Sequence, residues 1–235
     1  MSASYNGDPN AFSDLWEKGY DFNLSQYVNR GIEIFKANWV NFVVFTLIIA
    51  LINSLPDIIS DNLGTVVQLI IGGPLMAGYF IVARKVARNE RTEFSDFFKG
   101  FDDFIQLFLG NLVVGILVVV GILLLAVPGI YLAIAYAFWI PLIVFDRLSF
   151  WNAMETSRKI ITQNWWNFLL MALVAIGFIV LGAIALIVGL LAAVPIIVCM
   201  YYAAYEDIVD RYEPFDEKID EIGIQIDEIK DFDDV

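Results

Sequence analysis

Residues 168–205 read FLLMALVAIGFIVLGAIALIVGLLAAVPIIVCMYYAAY, 38 positions without one charged side chain. A bilayer-spanning helix needs about 20 apolar residues. This run is too long for one span and suits two joined by a tight turn. It divides into Asn164–Gly189 and Leu190–Tyr205. Upstream, Val127-Pro128-Gly129 offers turn chemistry between Phe104–Val127 and Gly129–Phe145, because Pro and Gly punctuate helices. Asn38–Leu55 and Leu63–Ala83 complete a set of six spans.

Composition agrees with that count. Of 235 residues 59% are apolar and 17% charged, with a mean hydropathy of +0.70. Soluble domains sit near ~45–50% apolar and ~25% charged, so an ordinary soluble fold is excluded. There is no His, which removes an imidazole base, a His metal site and His-ligated haem. The lone Cys199 excludes an internal disulfide and a Cys cluster. The first 27 residues are polar and acidic and lack a signal-peptide pattern.

The net charge of −13 resides in the ends of the chain. Residues 1–27 carry −3 and residues 210–235 carry −8, leaving 28–209 nearly balanced. An acidic balance opposes nucleic-acid binding, which needs a basic face. All fourteen Lys and Arg fall on one side of the six-span map, and the opposite loops hold only Asp57 and Asp61. The positive-inside rule then places both termini in the cytoplasm. The six Trp residues, at 16, 39, 139, 151, 165 and 166, map to the same side. That distribution implies a thick interfacial layer there.

A repeat is visible. Asn38-Trp39-Val40-Asn41-Phe42 returns as Asn164-Trp165-Trp166-Asn167-Phe168, an offset of 126. An amphipathic segment precedes each. Leu24, Val28, Ile32 and Phe35 make one stripe, and Trp151, Met154, Ile161 and Trp165 the other. A third such segment, with Phe94, Phe97, Phe98, Phe101, Phe104 and Phe108, precedes span three. Spacings of three and four predict helices. Leu24-Ser25, Phe94-Ser95 and Leu148-Ser149 supply a Ser N-cap to each. Pro74, Pro141 and Pro195 fall in the second span of each unit.

The expected fold is therefore all-α and polytopic, with six transmembrane helices. They are built as three repeats of an interfacial amphipathic helix plus a helical hairpin. The units run about 24–91, 92–147 and 148–209, between an acidic N-terminal tail, 1–23, and an acidic C-terminal tail, 210–235. The repeats share one direction, unlike the inverted repeats of many transporters.

Candidate functional residues are few. Asn38 and Asn164, with Trp39 and Trp165, sit where spans one and five begin. They read either as a shared polar or lipid-contacting pocket or as helix caps. Gly72 and Gly73 before Pro74 read either as a loosened helix lining a site or as close packing, with Gly73/Ala77, Ala133/Ala137 and Ala185/Gly189 four apart. Gln68 and Asn111 are the strongly polar residues well inside spans. Arg84, Lys85, Arg88 and Arg91 form the densest basic cluster. It is a headgroup-binding candidate, at about 1 kcal/mol per base, or a plain stop-transfer signal.

No span holds Asp, Glu, Lys, Arg or His near its middle. Proton relays, ion-coupled transporters and voltage sensors need such groups. Intramembrane metalloprotease, serine-protease and phosphate-loop patterns are also missing. An enzyme would have to use the interfacial acids Asp102, Asp103 and Asp146. No cofactor is expected, and the expected partners are membrane lipids. The C-terminal tail, with Ile219, Ile222, Ile226 and Ile229 at helix spacing and Ile222, Ile224 and Ile226 at strand spacing, reads either as a protein-docking segment or as a solvated tail.

Several of these motifs carry a resemblance. Phe35-Lys36-Ala37-Asn38-Trp39, Gly73-Pro74-Leu75-Met76-Ala77-Gly78-Tyr79-Phe80, Pro128-Gly129-Ile130-Tyr131 and Ser157–Trp166 resemble a group of bacterial six-span integral membrane proteins. That group is similar to the membrane domain fused to some glycerophosphoryl diester phosphodiesterases. The resemblance covers roughly residues 24–210 and implies a membrane module of the bacterial cytoplasmic membrane. In the fused relatives hydrolysis belongs to a separate soluble domain, so no catalytic residue carries over. The function expected is a non-enzymatic module acting as scaffold, partner-binding or lipid-responsive protein. The alternative is a facilitator or flippase-like path for a lipidic or neutral solute.

Overall fold

The computed structural model describes residues 7–57 and 63–210. Among the described residues every regular element is helical. A 3-10 turn, Pro9–Phe12, leads into α1, Ser13–Glu17, and then α2, Leu24–Ala37, α3, Trp39–Asp57, and α4, Leu63–Ala87. A second 3-10 helix, Phe94–Asp103, runs into α5, Phe104–Leu124. There follow α6, Ala126–Ala135, α7, Trp139–Asp146, α8, Phe150–Gln163, α9, Trp165–Ile184, and α10, Leu186–Tyr205. A π-helical turn, Glu206–Asp210, ends the described chain. Five segments are long and apolar enough to cross a membrane, and α2 with α3, bent by 90° at their junction, makes up to six.

The right angle between α2 and α3 is what an interfacial helix feeding a span requires. The amphipathic segments do not lie free on lipid. Each buries one face under a neighbouring hairpin. The Phe94–Asp103 helix packs on α4, α8 packs on α7 and α6, and α2 closes the ring on α10. First limbs follow the same order, α5 against α4, α9 against α6 and α3 against α10. The core therefore gathers at the end that carries the bases. On α4 the buried stretch runs through Gly72–Leu75 and Ala77–Phe80, and on α10 through Val198–Met200 and Tyr202–Tyr205. The far halves of α3, α5 and α9 expose Leu, Ile and Val, as lipid-facing surfaces do.

Helix bounds and burial recur at the offset of 126. α2 and α8 are both 14 residues long and coincide under that shift. So do the buried positions Tyr27/Ala153, Gly31/Ser157, Ile34/Ile160, Phe42/Phe168 and Phe45/Met171. The same register corrects one N-cap. Asn23, not Ser25, caps α2 by accepting from Gln26 N–H at 3.1 Å. Its counterpart is Ser149, which caps α8 by accepting from Asn152 N–H. The phenylalanine segment starts from Glu93, whose N–H donates to the Asp96 carboxylate at 2.8 Å. Ser95 is not its cap.

The phenylalanine segment is also a 3-10 helix rather than an α-helix, so side chains three apart eclipse. Phe97 and Gly100 form the buried row. Phe98 and Phe101 form an exposed row that continues to the half-buried Phe104. The turn between spans three and four lies at Leu125, not at Pro128. Pro128 is the third residue of α6, where its missing N–H costs little because first-turn donors lack helical partners anyway. Glycine pairs bring the limbs together beside each turn. A Cβ on Gly121 would lie 2.9 Å from the Gly129 backbone, and one on Gly182 would lie 2.9 Å from the Gly189 carbonyl oxygen.

The fourth span is broken at Tyr136–Phe138. Irregular backbone at membrane depth persists where protein satisfies it. Ser157 of α8 does so here. Its Oγ donates to the Ala135 carbonyl at 2.8 Å and accepts the Phe138 N–H at 3.0 Å, fully buried. Ser157→Ala strands one donor and one acceptor, and is expected to cost ~1–3 kcal/mol. Thermal unfolding in detergent reads this directly, and an unchanged midpoint would exclude the role.

Residues 12–20 belong to the fold. Phe12 and Leu15 are buried in the core. The Lys159 ammonium lies 5.0 Å over the Trp16 ring. Tyr20 OH donates to the Ile160 carbonyl at 2.9 Å, and burial pushes that hydroxyl's pKa up.

Candidate functional site

The residues singled out from sequence fall in three separate places. Asn38 and Asn164 are corner residues, with φ/ψ of −141°/35° and −124°/35°. Each ends an interfacial helix and starts a span. Asn38 N–H donates to the Phe35 carbonyl and Asn164 N–H to the Ile161 carbonyl. Their side chains are engaged: Asn38 Nδ2 donates to Thr92 Oγ1 at 3.2 Å, and Asn164 Nδ2 to the Tyr20 carbonyl at 3.0 Å. They cap bends and do not share a pocket. Trp39 is exposed beside its corner, while Trp165 is half-buried against Tyr131 and Trp166.

Asp103 holds the third corner, at −105°/28°. This corner carries Asp103-Phe104-Ile105-Gln106-Leu107 where the other two have Asn-Trp-x-Asn-Phe. In each the fifth residue is fully buried: Phe42, Leu107 and Phe168. Reading Asp as equivalent to Asn would have found this match.

The second place is mid-span. Asn111 Nδ2 donates to the Leu69 carbonyl at 2.9 Å and approaches the Gln68 carbonyl at 3.4 Å. Gly72 is roofed by the Gln68 side chain, and Gly73 lies against Leu107, where a Cβ would come within 2.6 Å of the carbonyl oxygen. α4 runs unbroken through Gly72, Gly73 and Pro74. These groups stitch α4 to α5, which is the close-packing reading.

The third place is a cleft of about 360 Å³ at the basic end, between α4, the Phe94–Asp103 helix and the end of α7. Arg84, Lys85 and Arg88 line it, and Arg91 does not. The long-range fold adds Lys99 and Arg147, the acids Glu90, Asp102 and Asp103, and an apolar wall of Ile81, Val144 and Phe145. Arg84 and Arg88 are four apart, on one helix face. Both reach the nearly buried carboxylate of Asp210, at 2.9 and 2.7 Å. Lys85 and Lys99 share buried Asp96, at 2.8 and 2.6 Å. Arg147 pairs with Asp103 at 2.9 Å. The Arg84 guanidinium also lies 4.3 Å over the Phe145 ring.

These pairings bear on the enzymatic option. Asp103 is held by Arg147, and the buried Asp146 carboxylate accepts the Tyr205 hydroxyl, so neither is a free acid beside Asp102. Among the described residues no group of three His, Cys, Asp or Glu could hold a metal ion. On α8, Arg158 donates to both Glu155 oxygens, at 3.0 and 2.6 Å. That pairing holds the Glu155 carboxyl below its usual range. The proposed docking tail, with Ile219, Ile222, Ile226 and Ile229, lies outside the described residues.

No family model, curated protein or solved structure matches this chain.

Proposed function

We propose that this chain is a non-catalytic, six-span module of the bacterial cytoplasmic membrane, with both termini cytoplasmic. Its working surface is the charged cleft at the basic end, where it engages lipid headgroups. The observation that carries this is the cleft itself: five bases and three acids over an apolar wall, set where span ends meet an interfacial helix. Basic side chains beside apolar surface suit a ligand with a charged head and a greasy body. The flippase-like reading has less support, because Asn111 and Gly73 are used in packing α4 on α5. The shared offset of helix bounds, the three similar corners and the cyclic packing support an origin in three repeated units. The sequence resemblance to bacterial six-span proteins is part of the same proposal.

The test uses Arg88→Ala/Lys99→Ala in the full chain. Arg84 stays on Asp210 and Lys85 on Asp96, so neither buried acid loses its last base. Phospholipid retained per protein after mild detergent extraction is expected to fall at least tenfold, since one charge-assisted phosphate contact alone is worth ~1.5–3 kcal/mol. Equal retention by a folded variant would remove the cleft as the working surface.

A further inference from the structure

The charges in the cleft are not spread at random. Two bases share Asp210 and two share Asp96, so each trio carries one surplus positive charge. Arg147 with Asp103 is neutral. Glu90 and Asp102 line the same cleft as exposed acids, and no ion pair among the described residues engages them. The cleft thus offers two surplus positive charges beside two surplus negative ones.

The positive sites can turn to a ligand. The Arg88 and Lys99 side chains are 34% and 51% exposed, whereas their partners Arg84 and Lys85 are more deeply set.

A purely anionic headgroup matches only half of this pattern. Its phosphate gains the two surplus positive charges, but the rim acids repel any further negative charge. A headgroup with a phosphate and an ammonium matches both halves. From this juxtaposition we infer that the cleft is a binding site for a zwitterionic phospholipid whose head ends in a primary ammonium. The phosphate sits between Arg88 and Lys99, the ammonium reaches Glu90 and Asp102, and the glycerol end lies along Ile81, Val144 and Phe145. Anionic lipid, favoured by the basic cluster read alone, becomes the weaker ligand. This rests on the proposal that the cleft engages lipid headgroups, and narrows it to one class.

The test places the full chain in nanodiscs of equimolar phosphatidylethanolamine, phosphatidylglycerol and phosphatidylcholine. Native mass spectrometry then identifies the lipids that stay bound. Phosphatidylethanolamine is expected to exceed phosphatidylglycerol about tenfold, the effect of one charge-assisted hydrogen bond from its ammonium that the neutral glycerol of phosphatidylglycerol does not make. It should also exceed phosphatidylcholine, whose quaternary ammonium donates no N–H. Glu90→Gln/Asp102→Asn should erase that preference while total retained lipid stays near the parent level. Both substitutions are at exposed positions, so the variant should fold. If the parent retains lipid but prefers phosphatidylglycerol, or if the variant keeps its preference, this inference is wrong and the headgroup proposal stands. If the parent retains no lipid, the headgroup proposal fails as well. Displacement by free phosphoethanolamine at matched concentration would make the ligand a soluble phosphate–amine rather than a lipid, overturning the lipid assignment.

Discussion

Gly78→Val is expected to yield almost no monodisperse protein, and any folded fraction should be destabilised by more than ~3 kcal/mol. Gly78 faces the Phe94–Asp103 helix so closely that a Cβ would fall inside the Phe97 carbonyl. The approach is reciprocal: a Cβ on Gly100 would overlap the Pro74 carbonyl. Two backbones in contact cannot relax by turning a side chain, so an added methyl must push the helices apart. That separation would uncover Phe97, Phe42, Phe45 and Tyr79, whose rings pack at centroid distances of 4.3–6.4 Å. It would also pull Asp96 from Lys85. Gly115→Val and Gly177→Val are the controls, because nothing lies within 4 Å of a Cβ at either position. Size-exclusion profiles and thermal unfolding in one detergent compare all three. Parent-like behaviour of Gly78→Val would mean that the two helices do not cross there.

That crossing shows what the chain discloses by itself. The polytopic all-α fold, the hairpin pairing and the amphipathic segments follow from local periodicity, and the structure keeps them, with five to six helices able to span. Its departures have local causes. Pro128 looked like a turn because proline breaks helices, yet in the first turn of α6 it removes only a donor without a helical partner. Ser25 looked like a cap because the Leu-Ser pairs matched, whereas the register of 126 pairs Asn23 with Ser149. The counterpart of Asn-Trp-x-Asn-Phe before α5 is masked by Asp103 and Gln106 standing where the others have asparagines, and by a tighter helix that shifts the spacing. Of the cleft, only the α4 bases were legible. Lys99 and Arg147 come from elements beyond α4, and Asp210 is 122 residues beyond Arg88. Such pairings depend on the ring of hairpins closing, which no local pattern encodes.

The two later hairpins should stop inside the membrane rather than emerge from it. In a Cys199→Ser background, Val127→Cys and Ile184→Cys are expected to resist a membrane-impermeant maleimide from both sides of sealed vesicles, yet react with a permeant one. Ser60→Cys, between Asp57 and Asp61 in the sequence that links the first two spans, should label from the far side. The reason is a balance of two costs. Leu123, Leu124, Leu125 and Val127 are 69–79% exposed at the second hairpin's tip, and Ile184 is 74% exposed at the third. No polar side chain occurs from 112 to 130 or from 168 to 198. Presenting four such side chains to water costs ~6–12 kcal/mol, at ~1.5–3 each. Against this stands the backbone. Leu125 and Ala185 N–H groups are paired, at 3.1 and 3.0 Å, and Pro128 has no N–H. The remaining first-turn donors of α6 still cost several kcal/mol each in hydrocarbon. Both demands are met where acyl chains end and ester oxygens begin. α5 has 21 residues, about 31 Å at 1.5 Å per residue, which reaches that boundary from the opposite interface. Labelling at Val127→Cys as fast as at Ser60→Cys would show an emergent loop and defeat this placement. Protection at both tips would leave the sequence around Asp57 and Asp61 as the polar feature between spans on the far side. A water-borne partner would then find its charged surface at the basic end, where the cleft lies.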